Sequence, residues 1–183
     1  MMPSTALTPT EVFFCIIQRF RGFASSSGGA ADGLRLLPAT IPDMALTGGS
    51  GHGIGKGFET FAGIQVLNRH GRSVGLAADF FDGGGPDNHG EARALRGLRG
   101  LVRTGEAAGG KLMVVVEKEP CPSCTVRLLS YAREQQLSEI ETYLPTRQSM
   151  TSLRQVTPKT ASKTSFMADR PGLNVVLHRR TRI

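Results

Sequence analysis

The chain has 183 residues, 39% of them hydrophobic, with 22 Lys and Arg against 15 Asp and Glu and a formal net charge of +7. That length suits one domain with a real core and leaves no room for two comfortable ones. No run of about eighteen apolar residues is present, which excludes a membrane-spanning helix, and three cysteines are too few for a disulfide framework.

Val12 to Ile17 is apolar, and Phe20 and Phe23 continue the pattern. The spacing predicts an amphipathic helix from Thr10, with Phe13, Ile16, Ile17 and Phe20 on one side. It lacks a basic leading region and reads poorly as a signal peptide. Two roles stay open for it: packing on the domain, or being the remnant of a larger parent chain. Cys15 within it reads as a buried apolar residue. Ser25 to Gly29 has linker composition. Residues 1–29 are therefore read as helix plus linker, and 30–183 as the main domain.

Residues 30–57 are loop-rich. The glycines at 49, 51, 53, 55 and 57 alternate, and neither G-x-G-x-x-G nor G-x-x-x-x-G-K-[ST] can be laid on them, so a phosphate loop is excluded. An ordinary solvated loop is the favoured reading. If the loop borders a site, His52 and Lys56 are its contacts. A hairpin follows: Phe61 to Leu67 as a strand, Asn68-Arg69-His70-Gly71 as a turn, Ser73 to Phe81 as the partner strand. Gly83-Gly84-Gly85-Pro86 then gives a loop that lets the backbone approach what comes next.

His89-Gly90-Glu91 opens a helix, with Asn88 or Asp87 expected at its cap. Leu95, Leu98, Leu101 and Val102 fall on one side, and Glu91 projects to that same side by the same count. Arg96, Arg99 and Arg103 gather on the opposite face, with Arg93 at its edge. Leu112 to Val116 reads as a buried strand, closed off by Pro120. Cys121 falls at a second helix N-cap, with Pro122 at the first helical position, where its missing N–H costs nothing. Cys121 and Cys124 share one face of the first turn, and a helix N-terminus favours the thiolate.

The combination H-x-E, then P-C-x-x-C, is the signature of zinc-dependent base deaminases. His89, Cys121 and Cys124 would supply three zinc ligands and leave a fourth position for water. Zinc brings that water's pKa toward neutrality. Glu91 is placed to take its proton and pass it to the base ring and the departing ammonia. Attack at the amidine-like carbon of cytosine would leave uracil. Competing readings are a redox pair, a Cys121–Cys124 disulfide, or a structural zinc with His52, His70 or His178 as fourth ligand. The structural reading leaves the inward Glu91 without a role.

Beyond this, Ile140 to Leu144 reads as a strand ended by Pro145, helix character returns around Met150 to Val156, and Asn174 to His178 reads as a last strand of undetermined direction. His178 is read as a strand residue. Up to Glu141, fourteen basic residues balance fourteen acidic ones; beyond it, eight basic residues face one acid, Asp169. The excess thus belongs to Arg147, Arg154, Lys159, Lys163, Arg170, Arg179, Arg180 and Arg182. Such a patch attracts phosphate backbones, although a solvated basic tail has the same composition and an acidic protein would also dock there. Nucleic acid is the favoured partner. Aromatics are few, so no broad stacking platform exists; Phe166, beside Lys163, is one candidate to hold a flanking base, and Tyr131 and Phe58 are others, each more often a core residue. The substrate contacts proposed are Asn88, Pro120, Ser123, His52, Lys163 and Phe166.

On His89, Glu91, Pro120, Cys121 and Cys124, over roughly residues 58–144, the chain resembles the cytidine-deaminase-like superfamily, and within it the bacterial toxin deaminases. The resemblance implies an α/β fold, a three-layer α/β/α arrangement around a mixed five-stranded sheet, with zinc between two helix N-termini. It implies hydrolytic deamination of cytosine, often in DNA, by a secreted or injected effector acting in the target-cell cytoplasm and neutralised by a cognate immunity protein. A monomer is expected, acting on DNA in preference to RNA, and on single strands, since extruding a base from a duplex costs a few kcal/mol. A deaminase of RNA or of free nucleosides and nucleotides, and a zinc-held binding module without catalysis, are the alternatives.

Overall fold

The computed structural model describes residues 5–24, 61–81, 84–149 and 174–183. Its elements run α1 (Pro9–Ala24), β1 (Phe61–Leu67), β2 (Ser73–Phe80), a 3-10 turn (Pro86–Asn88), α2 (Gly90–Leu101), β3 (Lys111–Val116), α3 (Pro122–Glu134), β4 (Glu139–Pro145) and β5 (Val175–Arg182). The five strands form one mixed sheet in the order β2-β1-β3-β4-β5. Only β3 and β4 pair in parallel; the other three pairings are antiparallel.

Alternation sorts the side chains into two cores. Ala62, Ile64 and Val66 of β1, with Leu112, Val114 and Val116 of β3, face α2 and α3 and meet Leu95, Leu98, Leu128 and Tyr131. Phe61 and Leu67, with Met113 and Val115, face the other way and are covered by Leu7, Val12, Phe13 and Ile16. Helices therefore lie on both faces of the sheet, as the three-layer expectation required, and β1 and β3 can be apolar at nearly every position because both their faces are covered.

Of the two roles open to the first helix, the structure shows packing. Gly63 makes the contact close, since a Cβ there would stand 2.6 Å from Ile16 Cδ1. Gln65, buried beneath the same helix, donates through Nε2 to the Leu7 carbonyl and accepts from the Leu7 N–H, both at 2.9 Å. Val12, Phe13 and Ile16 are fully buried; the side chains of Ile17 and Phe20 lie outside the described residues. So do the glycine-alternating loop and the helix expected around Met150 to Val156.

One expectation needs correction. The last strand does not stop at His178 but continues to Arg182, because it pairs along the whole of β4. Tyr131 is a core residue, fully buried between α3 and the sheet. No helix among the described residues is long and apolar enough to cross a membrane.

Candidate metal centre

The topology decides where the two motif halves fall. β2 and β3 both run antiparallel to β1, so they run parallel to each other. α2 follows β2, α3 follows β3, and both pack on one sheet face. Both helices therefore begin at the same edge of the sheet, beyond the carboxyl ends of the strands, where open α/β sheets place their ligand sites.

His89 is the N-cap of α2, in extended conformation and without a side-chain cap bond. Neither Asn88 nor Asp87, both expected there, takes that position. Both belong to the 3-10 turn just before it, where the Asp87 carbonyl accepts from Arg96 at 2.7 Å and its carboxylate pairs with Arg127 of α3. Cys121 is the N-cap of α3 with Pro122 behind it, and its sulfur accepts from the Cys124 N–H.

Three donor atoms converge. His89 Nδ1 lies 3.3 Å from Cys124 Sγ and 3.5 Å from Cys121 Sγ, and all three lie within 4.8 Å of one another. Ligand bonds of about 2.0–2.3 Å in a tetrahedral array require donor separations of about 3.5–3.8 Å. The group can therefore hold a metal ion at its centre, with small adjustments. Among the described residues no other histidine or cysteine joins it. His70 sits in the exposed β1–β2 turn beside Arg69, and His178 pairs with Glu119; His52 lies outside the described residues. All three cysteines are free thiols, so Cys121 and Cys124 are not a disulfide.

Glu91 is 3% exposed, and its carboxylate lies against the Cys124 thiol. Burial first, then the Glu91 charge and Cys121, push that thiol far above its ordinary range. Cys121 behaves oppositely. Burial pushes it up too, but hydrogen bonds from Ser123, the Cys124 N–H and side chain, and His89 outweigh that and bring it down to about 7. A cation at the centre would stabilise both thiolates at once. Cys15, distant in the fold, is pushed up to about 11 by burial and by Glu11, as suits a core residue.

Ser123, expected at the substrate, places its hydroxyl 3.1 Å from Cys121 Sγ. Asn88 is half-buried directly before His89. The Pro120 carbonyl accepts from the Thr125 hydroxyl at 3.5 Å. His52, Lys163 and Phe166 lie outside the described residues. Sequence reasoning missed Phe81, whose ring stands edge-on to His89, 5.2 Å away and 86° tilted. It also missed the 3.1 Å pair of Arg93 with the buried Asp79 of β2, having put Arg93 at the edge of a solvent face. No local pattern signals either contact, since both depend on how β2 meets α2.

The C-terminal charges are partly spent inside the fold. Arg179 pairs with Glu119 at 2.8 Å, and Arg180 with Glu139 at 3.4 Å and Glu141 at 2.9 Å. Arg154, Lys159, Lys163 and Arg170 lie outside the described residues. No protein-family model matches the chain, and no curated protein matches its sequence.

Proposed function

We propose that the chain is a zinc-dependent hydrolytic deaminase that converts cytosine to uracil in single-stranded DNA, the toxin domain of an interbacterial effector. What carries the reading is one arrangement: an imidazole and two thiols at mutual ligand distance, with a buried carboxylate beside them. The donor set, borderline-soft nitrogen and sulfur, suits zinc.

When bound, zinc supplies a water whose pKa is brought toward neutrality. His89, Cys121 and Cys124 would hold the ion from two helix starts, and Ser123 and the Cys124 N–H steady the Cys121 sulfur. Glu91 takes the proton of the attacking water and delivers it to the pyrimidine N3; a second transfer through the same carboxylate reaches the departing amine. Cytosine and water become uracil and ammonia. Burial of Glu91 keeps bulk water from competing for those transfers.

A purely structural metal site gives Glu91 no task. A binding module would retain its metal and partner when Glu91 is replaced, whereas an enzyme loses turnover. The test incubates zinc-loaded protein with single-stranded DNA, duplex DNA, RNA and free cytidine and scores C-to-U conversion. Conversion is expected first and fastest in single-stranded DNA. Conversion confined to free cytidine or to RNA moves the activity to that substrate, and none in any arm removes the reading.

A further inference from the structure

A groove runs along the flank of α3 where it faces β4 and β5. Leu128, Leu129 and Ile140 contribute apolar lining; Glu119, His178 and Arg179 line it as well. It begins at Pro120, the residue before Cys121, and Thr125, the residue after Cys124, lines it with a hydroxyl bonded to the Pro120 carbonyl. The groove is thus continuous with the loop that carries the metal-binding sulfurs. One carboxylate meets both side chains of β5 there: Glu119 pairs with the Arg179 guanidinium at 2.8 Å and lies 3.5 Å from His178 Nε2. All three side chains reach solvent, at 50%, 59% and 34% exposed respectively. An exposed pair of this kind is held weakly and gives way to a stronger anion.

We infer that this groove is the subsite for the nucleotide flanking the target base in a single-stranded nucleic acid, with Arg179 as its phosphate ligand and Glu119 as the group the phosphate displaces. The inference rests on the deaminase reading for what occupies the neighbouring centre. An apolar slot with a hydroxyl and a displaceable guanidinium at its rim matches a nucleotide in its parts: base face, sugar and phosphate. A free nucleoside has nothing to place there.

The assay is fluorescence anisotropy of a dye-labelled nine-nucleotide strand with one cytosine, in DNA and RNA versions, in a Glu91→Gln background that prevents turnover. Arg179→Gln is expected to weaken binding about tenfold and to lower the slope of log affinity against log salt by about 0.7, the share of one phosphate on a single strand. Glu119→Gln is expected to act in the opposite direction, tightening binding several-fold, a sign that simple damage to the fold does not produce. Both residues are exposed, and thermal melting checks that both variants fold. Uracil formation is scored separately with Glu91 intact. Unchanged affinity and slope in both variants, while wild-type protein still forms uracil in strands, overturns the subsite and leaves the deaminase reading in place. Opposite shifts without uracil in any substrate keep the subsite and remove the deaminase reading. Failure of every strand to bind overturns the subsite whatever happens to free cytidine. A shift confined to the DNA or to the RNA version names the polymer.

Discussion

Glu91 and Glu141 are both buried carboxylates, 3% and 2% exposed, yet their surroundings are opposite. Glu141 lies on the α1 face of the sheet and is surrounded by donors. Lys111 Nζ donates at 3.0 Å, the Tyr143 hydroxyl at 2.9 Å and Arg180 at 2.9 Å. Burial pushes its pKa up, but the bonds from Lys111 and Tyr143 and the Lys111 charge outweigh that and hold the carboxyl below its ordinary range. Glu91 instead faces a thiol whose ionisation it opposes. A compensated buried charge serves the fold. One set against groups that must also ionise marks a place where a cation or a chemical step completes the arrangement.

The contrast can be broken most sharply at Glu91. Glu91→Ala is expected to lower uracil formation about 10³-fold, the usual scale of a lost general acid–base, while zinc content stays at wild type and the melting temperature is unchanged or higher. Wild-type turnover in that variant would falsify the catalytic assignment. Next in size is the metal. Chelation is expected to cost about 4 kcal/mol of stability if zinc stands at a thousand times its Kd, measured as a drop in melting temperature that zinc restores; no drop would mean that the three donors are not a metal site.

Glu141 predicts the reverse of Glu91. Glu141→Gln is expected to destabilise by about 2 kcal/mol, less than a fully buried pair because Lys111 and Arg180 reach solvent, with kcat unchanged well below the melting point. Because its folded pKa is depressed, this stabilisation is complete above the ordinary carboxylate value near 4 and is lost as pH falls through the folded value. The gap in melting temperature between wild type and Glu141→Gln should therefore close below about pH 4. A gap constant with pH would show that packing, not charge, holds the cluster. Smallest is the exposed pair of Asp87 with Arg127, where Asp87→Asn should cost under about 1 kcal/mol; a large loss of zinc affinity in that variant would make the pair part of the centre.

Much of this architecture was legible in the chain. Strand alternation gave the hairpin Phe61–Leu67 and Ser73–Phe80 nearly to the residue, because its register follows from local turn chemistry. The Pro122 signal placed Cys121 at a helix start. What stayed hidden was set by distant partners. His89 caps α2 although asparagine and aspartate stand beside it, because the turn at Pro86–Asn88 uses them first. The basic tail read as one cationic surface, yet Arg180 of β5 sits opposite Glu141, which only strand pairing brings near, and Arg179 reaches Glu119 in the loop after β3. The Glu141 cluster spans β3, β4 and β5, and nothing in a linear count joins them.

The Leu7–Gln65 amide pair has a practical side. Trimming the polypeptide back to Phe61 would uncover a greasy sheet surface around Phe61, Leu76 and Val115 and strip the glutamine amide in its middle of both its bonds to Leu7. Such a shortened protein should clump in solution even though His89, Cys121 and Cys124 are all retained, so an inactive preparation made that way would say nothing about chemistry.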